Sequence, residues 1–241
     1  MMLDVVRQHY PRAIDSGTFV QRTLDVLRDR YQLAPRQVLL AHSICSDDVN
    51  AIAYPEEGRQ MLGPFNLGGL DGYPFVGLTG LLAFAHHVPD DGAALIFYAP
   101  HIGVTAQGEL GKILRVGQQG ASACCGAAAL ALQHVRDEVP LPATPPADNY
   151  QQHTLTSLLH GQRDRVLAAA QPLREATEVI LEASDKQIDH LIQHTSFLGK
   201  YLFVVSAVII NTDRDFTSFQ ELRRFQRLDV DTKEVLEELT F

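Results

Sequence analysis

Three short, almost wholly apolar runs constrain this chain more than any other feature. They lie at 37–41 (Gln37-Val38-Leu39-Leu40-Ala41), 93–99 (Ala93-Ala94-Leu95-Ile96-Phe97-Tyr98-Ala99) and 201–210 (Tyr201 to Ile210). Side chains alternate across a strand, so a strand that is apolar at every position must be covered on both faces. The runs are short, and long stretches with helical periodicity separate them. The pattern predicts an α/β fold with a central, mainly parallel sheet flanked by helices. The run at 201–210 is expected at its centre.

The intervening chain supplies the helices. Residues 1–31 place apolar side chains at steps of three and four (Val5, Val6, Tyr10, then Phe19, Val20, Leu24, Leu27, Tyr31). Pro11 and Gly17 divide this stretch into two helices, with Asp15 or Ser16 capping the second. A buried helix is expected from Phe75 to His87, and a short strand at 112–116. A helix runs from Gly126, with Ser122 as its cap and the cysteines in its first turn. Residues 139–149 read as a surface linker. Helices follow at about 153–170 and 173–195, and a last one at 232–239. Residues 54–75 hold Pro55, Gly58, Gly63, Pro64, Gly68, Gly69, Gly72 and Pro74, a long loop of the kind that is often functional. Its apolar anchors (Phe65, Leu67, Tyr73, Phe75) suit a pocket wall. A single domain is expected over 1–241: a helical region at 1–34, a site-bearing core at 35–136, and helices plus the central strand at 150–241.

The chain has 241 residues, 46% of them hydrophobic, a net charge of -9 and a pI near 5.5. That balance argues against nucleic acid and against an anionic membrane as partners. No apolar run reaches the ~20 residues of a membrane-spanning helix. The first residues match neither a signal peptide nor a transit sequence. Three cysteines make no disulfide framework, so a reducing, cytoplasmic setting is expected, or an organelle stroma if a transit segment was trimmed.

All three cysteines fall where α/β sites are built. Cys45 follows the first strand, His101 ends the second apolar run after Pro100, and Cys124-Cys125 precedes a helix. Two thiolates and one imidazole form a soft set that leaves one position open, as a catalytic zinc requires. The vicinal pair is expected to supply one ligand and one packed thiol. Asp47, two residues from Cys45, is placed to orient a metal-bound water. Such a carboxylate needs a cation to hold it off the metal. Arg59 is the nearest arginine downstream, and Arg115 is the alternative. His42 approaches the same turn. His86-His87 sits at a helix end, where the dipole accounts for it.

Several blocks, in this order, resemble the limiting-CO2-inducible protein B family, which is related to β-type carbonic anhydrases and is also called theta-type. They are Cys45-Ser46-Asp47-Asp48-Val49-Asn50, the stretch from Phe65 to Gly77, His86-His87-Val88-Pro89-Asp90-Asp91-Gly92, Pro100-His101-Ile102-Gly103 and Cys124-Cys125-Gly126. The resemblance is close over 38–130. The β-type enzymes carry Cys-x-Asp-x-Arg; here Cys45 and Asp47 match, but Val49 stands where the arginine would be. They also carry His-x-x-Cys-Gly, and Cys125-Gly126-Ala127 keeps its ending, which favours Cys125 over Cys124 as third ligand.

The resemblance implies zinc held by Cys45, His101 and Cys125, with Asp47 as a catalytic residue; because Val49 replaces the arginine, Arg59 is expected to join Asp47 as the second catalytic residue, with Arg115 as the alternative. The implied reaction is hydration of CO2 to bicarbonate in a homodimer. The alternative is a non-catalytic zinc-containing scaffold or inorganic-carbon sensor of the same fold. A cysteine-based redox protein using Cys124-Cys125 is a weaker reading.

Overall fold

The structure is a computed structural model that describes residues 1–51 and 54–241. In chain order its elements are α1 (Met2–Arg7), β1 (Ile14–Asp15), α2 (Ser16–Tyr31), β2 (Val38–Ser43), β3 (Leu62–Asn66), α3 (Gly77–Ala85), β4 (Ala93–Tyr98), β5 (His101–Val104), β6 (Lys112–Ile113), β7 (Ser122–Ala123), α4 (Gly126–Arg136), α5 (Tyr150–Gly161), α6 (Arg163–Ala168), α7 (Pro172–Gln193), β8 (Tyr201–Thr212), β9 (Phe219–Leu228) and β10 (Val235–Glu238). The main sheet runs β1-β9-β8-β4-β2-β3, with β10 beside β9 and β5 beside β8. Strands β3, β2, β4, β5 and β8 pair in parallel. The β8–β9, β1–β9 and β10–β9 pairs are antiparallel.

The apolar runs are continuous because each strand feeds two cores. Leu39, Ala41, Ala94, Ile96, Leu202 and Val204 join the cluster under α1, α3 and α7. Their neighbours Val38, Leu40, Ala93, Leu95, Phe203 and Val205 join the cluster under α2. Burying each of the larger side chains contributes about 1.5–3 kcal/mol. A third cluster joins α4 to α7 with Cys45 and Cys125.

Several elements differ from expectation, among them the helix expected at 153–170, which is two helices, α5 and α6. Residues 1–31 form two helices, but the two-residue strand β1 lies between them. Asp15 is the cap of α2, accepting from the Thr18 N–H at 3.1 Å. The loop at 54–75 contains β3, an edge strand paired with β2. The 112–116 strand stops at Ile113, so Arg115 lies in the β6–β7 turn. The helix expected at 232–239 is instead strand β10, which pairs with the polar strand β9. Ser122 sits in β7, and Cys125 itself caps α4.

The break between β4 and β5 matters for the site. Proline has no N–H to give a ladder. Here Pro100 interrupts the line that β8 pairs along, β4 matching 201–206 and β5 matching 209–212. The chain then re-enters the sheet at His101.

Candidate metal centre

Three elements end at one point. Cys45 lies just beyond β2, His101 opens β5, and Cys125 caps the N-terminus of α4. One ligand atom from each lies within 4.8 Å of the other two, and all three residues are buried. The helix terminus favours negative charge on Cys125 when it ionises. Cys125, not Cys124, is the cysteine that groups with Cys45 and His101.

Asn211, near the end of β8, fixes the histidine. Its Oδ1 accepts from His101 Nδ1 at 2.7 Å, while its Nδ2 donates to the Val49 carbonyl at 3.0 Å. The donor bond orients the amide, and the amide then assigns the ring proton to Nδ1. His101 Nε2 is left buried without a hydrogen-bond partner. A metal-ligating histidine has this arrangement: one nitrogen held by the protein, the other free.

Asp71 is a site residue that the sequence reading missed. It is fully buried, with φ at +49°. Its backbone N–H donates to Cys45 Sγ at 3.2 Å, and its Oδ1 accepts the His101 backbone N–H at 3.0 Å. One residue thus ties the first ligand segment to the second. Its Oδ2 has no partner, and burial pushes its carboxyl up to about 7. The glycines of the loop make this delivery possible. A Cβ at Gly72 would meet the Ala99 carbonyl oxygen at 2.1 Å, and φ there is +69°. Ser43 Oγ donates to the Gly72 carbonyl at 2.7 Å, locking the loop onto the end of β2. Gly72→Ala is expected to destabilise the fold by more than about 1 kcal/mol, read as a lower urea midpoint at unchanged slope.

Asp47 is held by Arg115. The two guanidinium nitrogens donate to its two carboxylate oxygens at 2.7 Å each, and Nη1 also reaches Asp48 at 3.0 Å. The expected Asp47–Arg59 pairing is corrected: Arg59 bonds the Tyr54 carbonyl and faces Glu56, near it in sequence and on the surface. Burial works to raise the Asp47 carboxyl, but Arg115, Asp48 and the Val49 N–H together bring it down to about 2. A depressed carboxylate contributes its stability above its ordinary range and loses it only as pH falls through the lowered value. The Asp47–Arg115 pair is therefore intact throughout the neutral range. Asp213 secures the turn that carries Arg115. Its two carboxylate oxygens accept from Leu114 N at 2.7 Å and Ala106 N at 2.8 Å.

The thiols and the imidazole are poised for a cation. The hydrogen bond with Cys125 brings the Cys45 thiol down to about 4 against the effect of burial, with His101 adding to it. Cys125 is pushed up by that same hydrogen bond and by burial. Burial lowers the His101 imidazole, but the neighbouring Cys124 and Cys45 sulfurs raise it well above its usual range. A soft divalent metal would replace the shared protons, so its binding releases protons. The donor set, its free Nε2 and its enclosed position fit such an ion.

Cys124 lies on the other side of the imidazole, 3.5 Å from His101 Nδ1, and groups with Asp47. Of the expected wall residues, Tyr73 packs with the cluster that holds Cys45 and Cys125. Leu67 and Phe65 belong to the core under α3 instead. Phe75 packs against Tyr73 at a tilt and against Tyr150 edge to face. His42 is partly buried on β2, and His87 bonds back to its own helix at Ala83.

A family profile described as limiting CO2-inducible proteins B/C beta carbonic anhydrases matches residues 13–229. The crystal structure of PtLCIB4, described as a homolog of the limiting CO2-inducible protein LCIB, is 29% identical. It superposes with a TM-score of 0.88 over 99% of this chain and 100% of its own. A histidine-to-alanine mutant of PtLCIB4 gives 27% identity and 0.86 over 98% and 97%. LCIB itself gives 18% identity and 0.70 over 95% and 96%, a likeness of fold. No match was found among curated proteins.

Proposed function

The chain belongs to the limiting CO2-inducible protein B/C family of beta carbonic anhydrases, and on that premise we propose that it catalyses the zinc-dependent, reversible hydration of CO2 to bicarbonate. Cys45, His101 and Cys125 would hold the zinc. When bound, the ion would supply Lewis acidity, which lowers the pKa of water toward ~7. Asn211 and Asp71 keep the ligands in place. Asp47 accepts a hydrogen bond from the reacting water and sets its orientation. Arg115 holds Asp47 in a bidentate grip, so the carboxylate serves as acceptor instead of closing the open position. Leu70 and Tyr73, packed against the cysteines, offer apolar surface to a small apolar substrate.

The observation that carries this reading is the Arg115–Asp47 pair beside the triad. It restores from a distant loop what Val49 lacks, and it supports catalysis over a purely structural zinc. A homodimer in the cytoplasm or an organelle stroma completes the proposal. Leu78 and Leu82 on α3, both exposed, are surface that such a dimer would cover. No helix among the described residues is long and apolar enough to cross a membrane. Stopped-flow CO2 hydration on samples of measured zinc content tests the reading. Turnover is expected to scale with zinc; zinc-replete protein that leaves the reaction at its uncatalysed rate would refute it.

A further inference from the structure

Three thiols are buried at the metal centre, and the proposed reaction gives two of them a single duty, to hold zinc. Their surroundings divide them. Cys45 Sγ accepts the Asp71 backbone N–H at 3.2 Å, and Cys125 caps the 11-residue helix α4. Both settings stabilise a thiolate, the form that attacks peroxides and disulfides. Cys124 has neither. Its thiol donates to Asn211 Oδ1 at 3.5 Å and lies 3.5 Å from His101 Nδ1. It groups with Asp47 and His101 and with no other cysteine among the described residues.

This division selects one pair of sulfurs. Those of Cys45 and Cys125 lie within 4.8 Å of each other. A disulfide needs them at ~2.05 Å, a closure of less than about 3 Å. The vicinal pair is worse placed. Consecutive Cα atoms are about 3.8 Å apart or less, short of the roughly 4.4–6.8 Å that a relaxed disulfide spans. Small oxidants have a way to the better pair, because an exposed residue follows each of its members. Ser46 follows Cys45, and Gly126 follows Cys125, where an added Cβ would meet nothing within 4 Å.

We propose that Cys45 and Cys125 are a redox switch as well as metal ligands: hydrogen peroxide oxidises them to a Cys45–Cys125 disulfide, the metal is expelled, and a dithiol reductant restores the site. This rests on the ligand set assigned above and not on turnover. The Cys45 thiolate attacks one peroxide oxygen; the O–O bond breaks, hydroxide leaves and is protonated to water, and Cys45 becomes a sulfenic acid. The Cys125 thiolate then attacks the Cys45 sulfur. The S–O bond breaks, the disulfide forms, and a second hydroxide leaves as water. Two thiols lose two electrons and two protons, and the peroxide takes them up to become two waters. A disulfide offers no thiolate to a cation, so two of the three metal ligands are lost together. Cys124 takes no part.

The test treats the zinc-loaded chain with hydrogen peroxide in the presence of a chromophoric zinc indicator. Non-reduced digests are mapped by tandem mass spectrometry, and dithiothreitol and zinc are then added back. Zinc release is expected to match disulfide formation mole for mole, with the bond at Cys45–Cys125. Cys124 should still alkylate after denaturation, and reduction should return the full zinc capacity. Cys124→Ser is expected to form the same disulfide within about threefold of the wild-type rate, whereas Cys125→Ser forms none. The proposal is overturned by a bond at Cys124–Cys125 or Cys45–Cys124, by sulfinic or sulfonic acid in place of the disulfide, or by zinc that stays while the thiols oxidise. Thiols that stay reduced under peroxide that oxidises free cysteine also overturn it, as does a chain that binds no zinc. None of these readouts involves CO2. If the disulfide forms and zinc leaves but the zinc-replete chain shows no turnover, the activity fails and the switch stands. Turnover without the disulfide reverses that outcome.

Discussion

Arg115→Ala is expected to lower CO2 hydration on the order of 10²-fold or more with zinc still bound. The reasoning is electrostatic. Asp47 lies beside the triad, and its two oxygens are both occupied by the guanidinium. With that partner removed, a partly buried carboxylate next to a cationic metal has one favourable destination, the metal itself. The open position then closes, and zinc content is retained or increased. Arg115→Lys should recover little, because an ammonium is a point charge and cannot make the paired contact. Arg59→Ala is the control: its partners are the Tyr54 carbonyl and Glu56, and activity should be unchanged. Parallel zinc analysis and stopped-flow hydration of the three variants check this. Loss of activity in Arg59→Ala with Arg115→Ala unaffected would reverse the assignment.

Asp71→Ala is expected to weaken zinc binding by roughly 10–100-fold, the usual effect of removing a group that orients metal ligands. The carboxylate is the acceptor for the buried His101 N–H. An orphaned buried N–H costs about 1–3 kcal/mol, and every 1.4 kcal/mol is about tenfold in a binding constant. Asp71→Asn separates the acceptor from the charge. It keeps an oxygen for His101, and asparagine tolerates the positive φ at this position. Its affinity should lie much nearer wild type. Competition with a chromophoric chelator measures the affinities, and the visible spectrum of the cobalt-substituted protein reports ligand geometry directly. Zinc affinity in Asp71→Ala equal to wild type would remove Asp71 from the site.

The parts that could be read from sequence are those where a local pattern has one physical solution. A strand apolar at every position is buried on both faces, so β2, β4 and β8 were legible, and with them the sheet and the strand ends where Cys45 and His101 sit. Strand β9 was not. Its apolar residues Phe219, Leu222, Phe225 and Leu228 recur every third position, and glutamines and charged residues fill the gaps. They are tolerated because Arg223 and Arg224 find acids on α7, Glu178 and Asp189. The partner of Asp47 was equally hidden. Arg59 is near in sequence, but the chain turns it outward, whereas Arg115 returns from 68 residues away on the β6–β7 turn. Asp71 had a weak signal that went unused. An acid flanked by glycines inside an apolar loop is either wasted on a surface or buried for a purpose. Asn211, the first polar residue after the longest apolar run, had a similar one.

The most direct measurement is 18O exchange between CO2 and water, followed by mass spectrometry, on wild type and Asp47→Asn protein each carrying one zinc per chain. The account predicts exchange far above the uncatalysed rate for wild type, and loss of nearly all of it in Asp47→Asn with the zinc still in place. Wild-type exchange at the uncatalysed rate, or exchange in Asp47→Asn equal to wild type, would contradict it.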